Sequence, residues 1–141
     1  MRIIQVSPYS WDAPGGVQIH IRQLTKHLQE RGHEVLVLAP GEAPGRHEHV
    51  HIVGRTFTTW SNGSTAQISF SPSTMRELAA QMRGFSPDIV HVHEPFAPAI
   101  GLAATKHAPA PVVGTFHSYY PRESPEGRIY TAIAPLLRPT W

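Results

Sequence analysis

The stretch RIIQVSPYSWDAPGGVQIHIRQLTKHLQERGHEVLVLAP, residues 2–40, decides the fold class. It opens with a short apolar run, Arg2 to Ser7, which stops at a proline and is typical of a strand buried in a parallel sheet. A helical pattern follows, ended by Gly32 as a left-handed cap, and its apolar stripe consists of Val17, Ile21, Leu24 and Leu28. The second buried strand is Glu34 to Pro40. This order predicts a right-handed βαβ unit, the start of a doubly wound sheet.

The remainder of the chain continues the alternation, with prolines and glycines between apolar segments. Residues 50–54 and 64–70 predict short strands on either side of a polar, aromatic loop. The following segment predicts a helix that has Ser71 or Ser73 as its N-cap. Two further strands, the helix between them and a final helical pattern are predicted at 87–95, 111–118, 97–108 and 127–141.

These segments predict one Rossmann-like α/β domain over residues 1–141, with a doubly wound, mainly parallel sheet. The most continuous apolar runs are expected near the centre of the sheet, and they are Arg2–Ser7, Glu34–Ala39, Ile89–His93 and Val112–Phe116. The last segment stops within a helical pattern rather than in a tail, so the chain has the appearance of having been cut.

Composition excludes several classes of protein. The chain has 141 residues, 40% hydrophobic and 16% charged, and no apolar run approaches the roughly 18 residues of a membrane span. The N-terminal MRIIQVSP turns polar too soon for a signal peptide, so a cytoplasmic location is expected. The absence of cysteine excludes disulfides, thiolate zinc sites and a cysteine nucleophile. The net charge is +2 and the basic residues are scattered, which argues against a nucleic-acid partner.

Two consecutive glycines, Gly15 and Gly16, lie between the first strand and the first helix. In an open α/β sheet this turn presents the N–H groups of a helix N-terminus where anions bind. Glycines there let a phosphate or sugar approach the amides and permit positive φ, although a plain strand-to-helix turn explains them as well. The motif is neither GxGxxG nor a phosphate-binding loop with its lysine, which disfavours the usual NAD and NTP sites.

Histidines lie at two other strand ends. His117 follows the last predicted strand, a position that suits either a functional group or a loop histidine bonded to a backbone carbonyl. In HVHE, His91 and His93 alternate onto one sheet face with Glu94 just beyond, a pattern that invites a metal site. No third separated ligand stands out, so no metal is expected. The HEHVH segment, residues 47–51, is interpreted as a solvated loop that would bind nickel or zinc only adventitiously.

The chain closely resembles the N-terminal domain of retaining GT-B glycosyltransferases of the family 4 type, in particular the phosphatidylinositol mannosyltransferases. Four motifs carry the resemblance in order: residues 1–40 with their PGGV turn, SNGSTAQISFSP, DIVHVHEP and VVGTFHS. The resemblance implies the acceptor-side half of an enzyme whose donor-binding domain is absent from this chain. It also implies a nucleotide-sugar donor such as GDP-mannose, a sugar, lipid or small-molecule acceptor, no metal or other cofactor, and at most peripheral contact with the inner face of the plasma membrane.

The resemblance further implies roles for individual residues. The glycine turn of the family contacts the donor diphosphate, which assigns Gly15 and Gly16 to donor binding. The family's TFH histidine lies in the catalytic cleft, so His117 is expected to be the catalytic residue that holds a hydroxyl of a reacting sugar. Acceptor binding is expected from Tyr9, Asn62, Ser64 and Gln67.

The sequence departs from the family pattern at two places. The family has a tyrosine before the asparagine and an arginine after it, where this chain has Ser61 and Gln67, so a bidentate phosphate clamp is lost. The helix that follows is rich in lysine and arginine in membrane-docking relatives, whereas here it offers Arg76 and Arg83 against Glu77. These departures predict poor use of phosphatidylinositol and a preference for a soluble or less anionic acceptor.

Three classes of function are compared on these grounds. The acceptor-side half of a glycosyltransferase is favoured, and because a GT-B site is assembled between two domains, residues 1–141 alone are expected to fold without turnover. The alternative is a non-catalytic module that binds an anionic or phosphorylated ligand in the same cleft. An NAD-dependent oxidoreductase fits the fold class but lacks the glycine fingerprint, and it is the least favoured.

Overall fold

The described part of the chain, residues 1–42, 48–61, 64–69, 71–97 and 99–137 of a computed structural model, forms two sheets. The strands are β1 (Arg2–Val6), β2 (Glu34–Ala39), β3 (Val50–Ile52), β4 (Phe57–Ser61), β5 (Ser64–Ile68), β6 (Ile89–His93) and β7 (Val112–Thr115). Five of them form one sheet in the order β3-β2-β1-β6-β7, and every pairing between neighbours in it is parallel. The predicted Rossmann-like α/β class is confirmed.

Helices connect these strands, and their bounds are α1 (Gly16–Glu30), α2 (Pro72–Phe85), α3 (Ile100–His107) and α4 (Pro125–Leu137). Gly32, at φ +81°, adopts the left-handed conformation just beyond α1, as the sequence predicts. Ser71 is the N-cap of α2, since its side chain accepts a hydrogen bond from the Thr74 amide at 3.1 Å. Of the two serines considered for this cap, the structure selects the first.

The two faces of the parallel sheet are covered differently. Residues of β1 and β6 that point to one face pack with α2 and α3, in a cluster that includes Ile4, Val6, Val90, Val92, Leu78, Met82 and Ile100. On the other face, Ile21 of α1 packs with Val37, Ala39 and Trp11. Because successive side chains of a strand point to opposite faces, Gln5 and His93 lie on the α1 face. The polar residues of the central strands therefore lie under α1.

One prediction about the strand order of the sheet is wrong. The run Val112–Phe116 is parallel to β6 as predicted, but β7 is at the edge of the described sheet rather than near its centre. Val113 is 47% exposed and Phe116 is 49% exposed. An apolar run thus indicates a strand without fixing its position in the strand order.

The prediction of a loop between the strands at 50–54 and 64–70 is partly wrong. Residues Phe57–Ser61 form β4, which pairs antiparallel with β5 from Phe57 opposite Ile68 to Ser61 opposite Ser64. The β-branched and aromatic run FTTWS, followed by Asn62 and Gly63, was the signal for a hairpin. Asn62 and Gly63 lie outside the described residues.

Candidate active site

The candidate site lies where β1, β6 and β7 end and α1 begins. Tyr9 follows β1, Glu94 follows His93 at the end of β6, and His117 follows β7. The carboxyl ends of parallel strands lie along one edge of a sheet, where ligands bind in open α/β folds. The structure brings the two strand-end histidines together there, with 5.2 Å between the ring centroids of His93 and His117.

His93 is the centre of a chain of hydrogen bonds. Its side chain is fully buried, with Nδ1 2.9 Å from Nε2 of His117 and Nε2 3.1 Å from Oε1 of Gln5. Gln5, also fully buried, donates from Nε2 to Oγ1 of Thr25 on α1 at 2.9 Å. The ring of His117 is therefore held in place from α1 through the sheet.

The orientation of the Gln5 amide determines where the hydrogens of this chain lie. Since its nitrogen donates to Thr25, its oxygen faces His93 and accepts the Nε2–H of that ring. A neutral His93 then has its lone pair on Nδ1, which accepts the Nε2–H of His117. The free lone pair of neutral His117 is consequently on Nδ1.

Burial keeps the imidazoles of this site neutral. Burial, with smaller contributions from His91, His117 and His20, lowers the pKa of His93 far below its ordinary value. The pKa of His117 is lowered by burial first and by His20 second, against the opposing attraction of Glu94. Burial also lowers the pKa of His91 to about 4. Near neutral pH these three rings keep lone pairs that accept hydrogen bonds or bind a metal ion.

Glu94 positions the backbone of His117. Its φ of 51° is in the left-handed region, which costs energy for a residue with a side chain. Oε1 of Glu94 accepts the His117 amide hydrogen at 2.7 Å, and Oε2 is buried with no hydrogen-bond partner among the residues the structure describes. His91, His93 and Glu94, the metal set suggested by HVHE, do not form a group of convergent ligands among the described residues, and the Glu94 carboxylate bonds to the His117 backbone.

The N-terminus of α1 is open. Gly15 is its N-cap in an extended conformation, and within the described residues no side chain caps this end. The Ile19 amide makes the first helical bond, to the Gly15 carbonyl at 3.0 Å, so the amides of Gly16, Val17 and Gln18 precede the helical ladder. The helix itself and the described side chains do not use these three backbone donors, so they suit a ligand.

The two glycines differ in what surrounds them, and neither has the positive φ that glycine permits. A Cβ on Gly15 would collide with Oε1 of Gln18, whereas a Cβ on Gly16 would meet nothing within 4 Å. A side chain at position 15 would require the end of the Gln18 side chain to move, whereas contacts within the described residues do not account for a glycine at position 16.

His20 links the start of α1 to the strand-end histidines. It lies one helical turn after Gly16, on the same face of α1. Its ring centroid is 5.2 Å from that of His117 and 5.6 Å from that of His93. The open helix N-terminus and His117 are therefore neighbours.

The loop between β1 and α1 is anchored at several points. Gln18 donates from Nε2 to the Ser10 carbonyl at 3.0 Å, and the Trp11 amide donates to the Pro40 carbonyl at 2.8 Å. The guanidinium of Arg22 donates to the Trp11 carbonyl at 2.8 Å and lies 4.0 Å from the centre of the Trp11 ring. This loop presents the glycines in a fixed position, which lowers the cost of ordering them around a ligand.

The predicted acceptor residues divide into two groups. Tyr9 is half-buried near the other strand ends, and burial first, then the Glu94 carboxylate, raises its pKa to about 12. Ser64 and Gln67 lie on β5, in the separate two-stranded sheet. Asn62 lies outside the described residues. The structure therefore places Tyr9 near the strand-end histidines, and the acceptor roles of all four residues stay predictions.

Residues 14–141 match the family described as Glycosyltransferase Family 4. The chain belongs to glycosyltransferase family 4. Its parallel sheet with flanking helices is the Rossmann-like half of a GT-B fold, as the resemblance implies.

Several mannosyltransferases are similar to this family 4 chain. A phosphatidyl-myo-inositol mannosyltransferase of Mycolicibacterium smegmatis is 41% identical over 119 residues, which are 84% of this chain and 31% of the relative. One from Propionibacterium freudenreichii is 38% identical over 130 residues, 86% of this chain and 34% of the relative. A GDP-mannose-dependent alpha-mannosyltransferase of Mycobacterium tuberculosis is 32% identical over 111 residues, 75% of this chain and 29% of the relative. The chain spans about a third of the length of these relatives.

Three residues of this family 4 site were not selected from the sequence. Gln5 interrupts an otherwise apolar strand, and a polar side chain at such a position was a signal that it has a buried partner. His20 follows Gly16 by four residues, the spacing that places two residues on one helix face. Thr25 gave no such signal.

No helix in the described part of the chain has the length and apolar character needed to cross a bilayer.

Proposed function

We propose that this chain forms the acceptor-side half of a retaining glycosyltransferase, which transfers a sugar such as mannose from a nucleotide-sugar donor to an acceptor. The observation that carries the proposal is the open, glycine-started N-terminus of α1 beside His117. Free amides at a helix N-terminus suit a diphosphate in both hydrogen bonding and charge. The relatives named as mannosyltransferases, one of them GDP-mannose-dependent, support the choice of sugar and donor.

The donor is proposed to place its diphosphate against Gly15 and Gly16. During transfer the anomeric carbon becomes electron-poor while the departing diphosphate gains negative charge. Amides that are fixed before the reaction stabilise this developing charge more than they stabilise the bound donor, and that difference lowers the barrier. The space beside Gly16, which no described residue fills, is where the diphosphate would approach.

His117 is proposed as the catalytic residue that holds a hydroxyl of a reacting sugar. Its Nε2 is engaged with His93, so its Nδ1 lone pair is the atom that would accept the hydroxyl hydrogen. The series of hydrogen bonds from Thr25 through Gln5 and His93 fixes the ring of His117. This limits the orientational entropy that the reaction must overcome. The lowered pKa of His117 keeps that lone pair free of a proton near neutral pH.

The acceptor is proposed to contact Tyr9 together with Asn62, Ser64 and Gln67. The aromatic face of Tyr9 offers a surface for a sugar or cyclitol ring, and its raised pKa keeps the phenol protonated as a hydrogen-bond donor. This placement would put the acceptor on the side of the site where β1 ends, next to His117.

A soluble or weakly anionic acceptor is favoured over an anionic lipid. Gln67 stands where the family pattern has an arginine, and Gln cannot form the bidentate, charged contact with a phosphate. On α2, Arg76 and Arg83 are exposed. Oε1 of Glu77 on the same helix lies 3.0 Å from Nε2 of His51. Two cations offer only about 2 kcal/mol of attraction to an anionic membrane surface. We therefore propose a cytoplasmic protein with at most peripheral membrane contact.

A second, donor-binding domain is proposed to complete the site, with no metal or other cofactor taking part in transfer. Without it, the free amides of α1 supply only part of the donor contacts. We expect residues 1–141 alone to bind GDP-mannose in about the millimolar range, near 4 kcal/mol, and to show no turnover. Micromolar binding, or any turnover, by the 141-residue chain would contradict this division of the site.

The proposal is tested by a hybrid enzyme in which this chain replaces the matched segment of the M. smegmatis relative, with the unaltered relative as control. We expect mannosyl transfer from GDP-mannose, and a higher rate with soluble sugar or cyclitol acceptors than with phosphatidylinositol vesicles. A folded hybrid that binds GDP-mannose without transferring mannose to any acceptor would favour the non-catalytic binding module. Rapid mannosylation of phosphatidylinositol would contradict the proposed acceptor class.

A further inference from the structure

Three histidines from different elements meet at the site. One ligand nitrogen each of His20, His93 and His117 lies within 4.8 Å of the others, and the nitrogens of the last two are 2.9 Å apart. Neutral imidazole is the commonest metal ligand among protein side chains, and it suits zinc, nickel and related first-row divalent ions. Zinc–nitrogen bonds of about 2.0–2.1 Å in tetrahedral geometry place ligand nitrogens about 3.3 Å apart. The two strand-end histidines already have nearly this spacing.

The surroundings of His93 match those of a metal-bound histidine. Such a histidine donates its second ring N–H to an oxygen, which fixes the ring and raises its basicity. His93 does this with Oε1 of Gln5 at 3.1 Å, and Gln5 is fixed in turn by Thr25 at 2.9 Å. Nδ1 of His93 is thereby left as the coordinating atom.

His20 supplies the third ligand with little rearrangement. Its side chain is exposed on α1, so a rotamer change is not opposed by packing. Moving its ring nitrogen by about 1.5 Å would bring all three nitrogens to tetrahedral spacing. A fourth coordination position would stay open to water, as in sites with three protein ligands.

We propose that His20, His93 and His117 form a binding site for a divalent transition-metal ion such as Zn²⁺ or Co²⁺. His93 would bind through Nδ1 and His117 through Nε2, so the hydrogen that these two nitrogens now share must leave Nε2 of His117. It moves to Nδ1 of the same ring, which stays neutral, and no net proton is released.

Occupation of this site would inhibit transfer, a consequence that rests on the function proposed above. With the hydrogen on Nδ1, His117 turns from an acceptor into a donor toward the sugar hydroxyl. The ion would also lie one helical turn from Gly16, in the space between α1 and the strand ends. Metal binding itself does not depend on the enzyme reaction, and it is measured separately.

The other histidines make less suitable sites within the described part of the chain. His51 lies in β3, in agreement with the strand predicted over residues 50–54 and not with the loop interpretation of HEHVH, and its Nε2 is 3.0 Å from Oε1 of Glu77. His49 is paired with Glu48 at 3.6 Å. Neither belongs to a group of three or more convergent ligands among the residues described. These two histidines therefore serve as the rival site in the experiment.

The binding test titrates the 141-residue chain with CoCl2 and records the visible absorption of the bound ion. We expect one equivalent to bind with the intense d–d bands of four-coordinate Co²⁺, and ZnCl2 to displace it. His20→Ala should weaken Co²⁺ binding by well over tenfold, since loss of an outer-shell partner alone costs about 10–100-fold. His27→Ala, an exposed histidine on the same helix, is the matched control and should change nothing. Weak, six-coordinate absorption, or equal affinity in the two variants, would overturn the site.

Two further measurements keep the proposal falsifiable. Gln5→Leu removes the oxygen behind His93 and should weaken Co²⁺ binding by about 10–100-fold, while a double His49→Ala, His51→Ala variant should bind normally. Loss of binding in the double variant would assign the ion to the rival site and overturn the proposal. In the hybrid enzyme, Zn²⁺ should inhibit transfer at a lower concentration when His20 is present than in the His20→Ala variant. The rate of each enzyme is compared with its own rate in the absence of Zn²⁺. Binding without inhibition would leave the metal site supported and contradict its link to transfer.

Discussion

Replacing Gly16 by alanine separates a requirement of the fold from a requirement of the ligand. The new Cβ would meet nothing within 4 Å, and Gly16 has no positive φ. Alanine is favoured over glycine inside a helix by about 0.5–1 kcal/mol, and this gain is an upper limit at a first helical position. We therefore expect unchanged or slightly higher stability, with a Tm rise of at most about 4 °C.

The same methyl group should be costly for the donor. If it displaces the diphosphate from one amide, the loss is that of a hydrogen bond to a charged group, about 1.5–3 kcal/mol. This corresponds to a decrease of about 10- to 150-fold in kcat/KM for GDP-mannose, measured in the hybrid enzyme. Thermal unfolding of the 141-residue chain gives the stability.

Gly84 provides the matched control for this experiment. It is an exposed residue of α2, and a Cβ there would also meet nothing within 4 Å. Gly84→Ala should therefore raise stability to a similar or greater extent and leave kcat/KM unchanged. Equal kinetics in the two variants, or a clear loss of stability in Gly16→Ala alone, would refute the assignment of Gly16 to the donor.

Three further predictions concern stability and titration. Gly54→Ala should lower the free energy of unfolding by more than about 2 kcal/mol, because Gly54 has φ +73° and a Cβ would collide with Oγ1 of Thr74. A loss below about 1 kcal/mol in urea unfolding, close to that of surface changes, would contradict the described contact. Ser71→Ala should cost about 1 kcal/mol through loss of the α2 cap, and a larger cost for Ser73→Ala would show that the cap is misassigned. Tyr9 should ionise near pH 12 in an ultraviolet difference titration against Tyr9→Phe; since its folded pKa lies above the unfolded value of 10.0, its contribution to stability is present below pH 10 and is lost as the pH rises toward 12. An ordinary transition near pH 10 would contradict its burial beside Glu94.

Local patterns predicted most of the fold because strand and helix periodicities are local properties. The unit from β1 to β2, the left-handed Gly32 and the Ser71 cap all depend on residues close in sequence. The edge position of β7 was not predictable in this way, since strand order is decided by packing between distant segments. The hairpin of β4 and β5 was predictable and was missed.

The site was predicted in part for the same reason. His117 and the glycines occupy strand and helix ends, positions that the βα pattern itself marks as functional. The hydrogen bonds of this site join residues far apart in sequence. Gln5 and His93 are separated by 88 positions, and His93 and His117 by 24 positions, so only the folded sheet brings them into contact. The resemblance singled out the individual candidate residues, whose roles stay predictions, whereas their coupling through hydrogen bonds came from the structure.

The central claim is that His117 takes part in sugar transfer, and the most direct measurement is kcat for mannosyl transfer by the hybrid enzyme carrying His117→Ala. Thermal unfolding of the same variant and the exposed His27→Ala serve as controls for folding and for loss of a histidine elsewhere. We predict a decrease in kcat of about a hundredfold or more, with Tm nearly unchanged, since the lost group acts on the reacting hydroxyl. A folded His117→Ala hybrid that transfers mannose at the unaltered rate would contradict the claim.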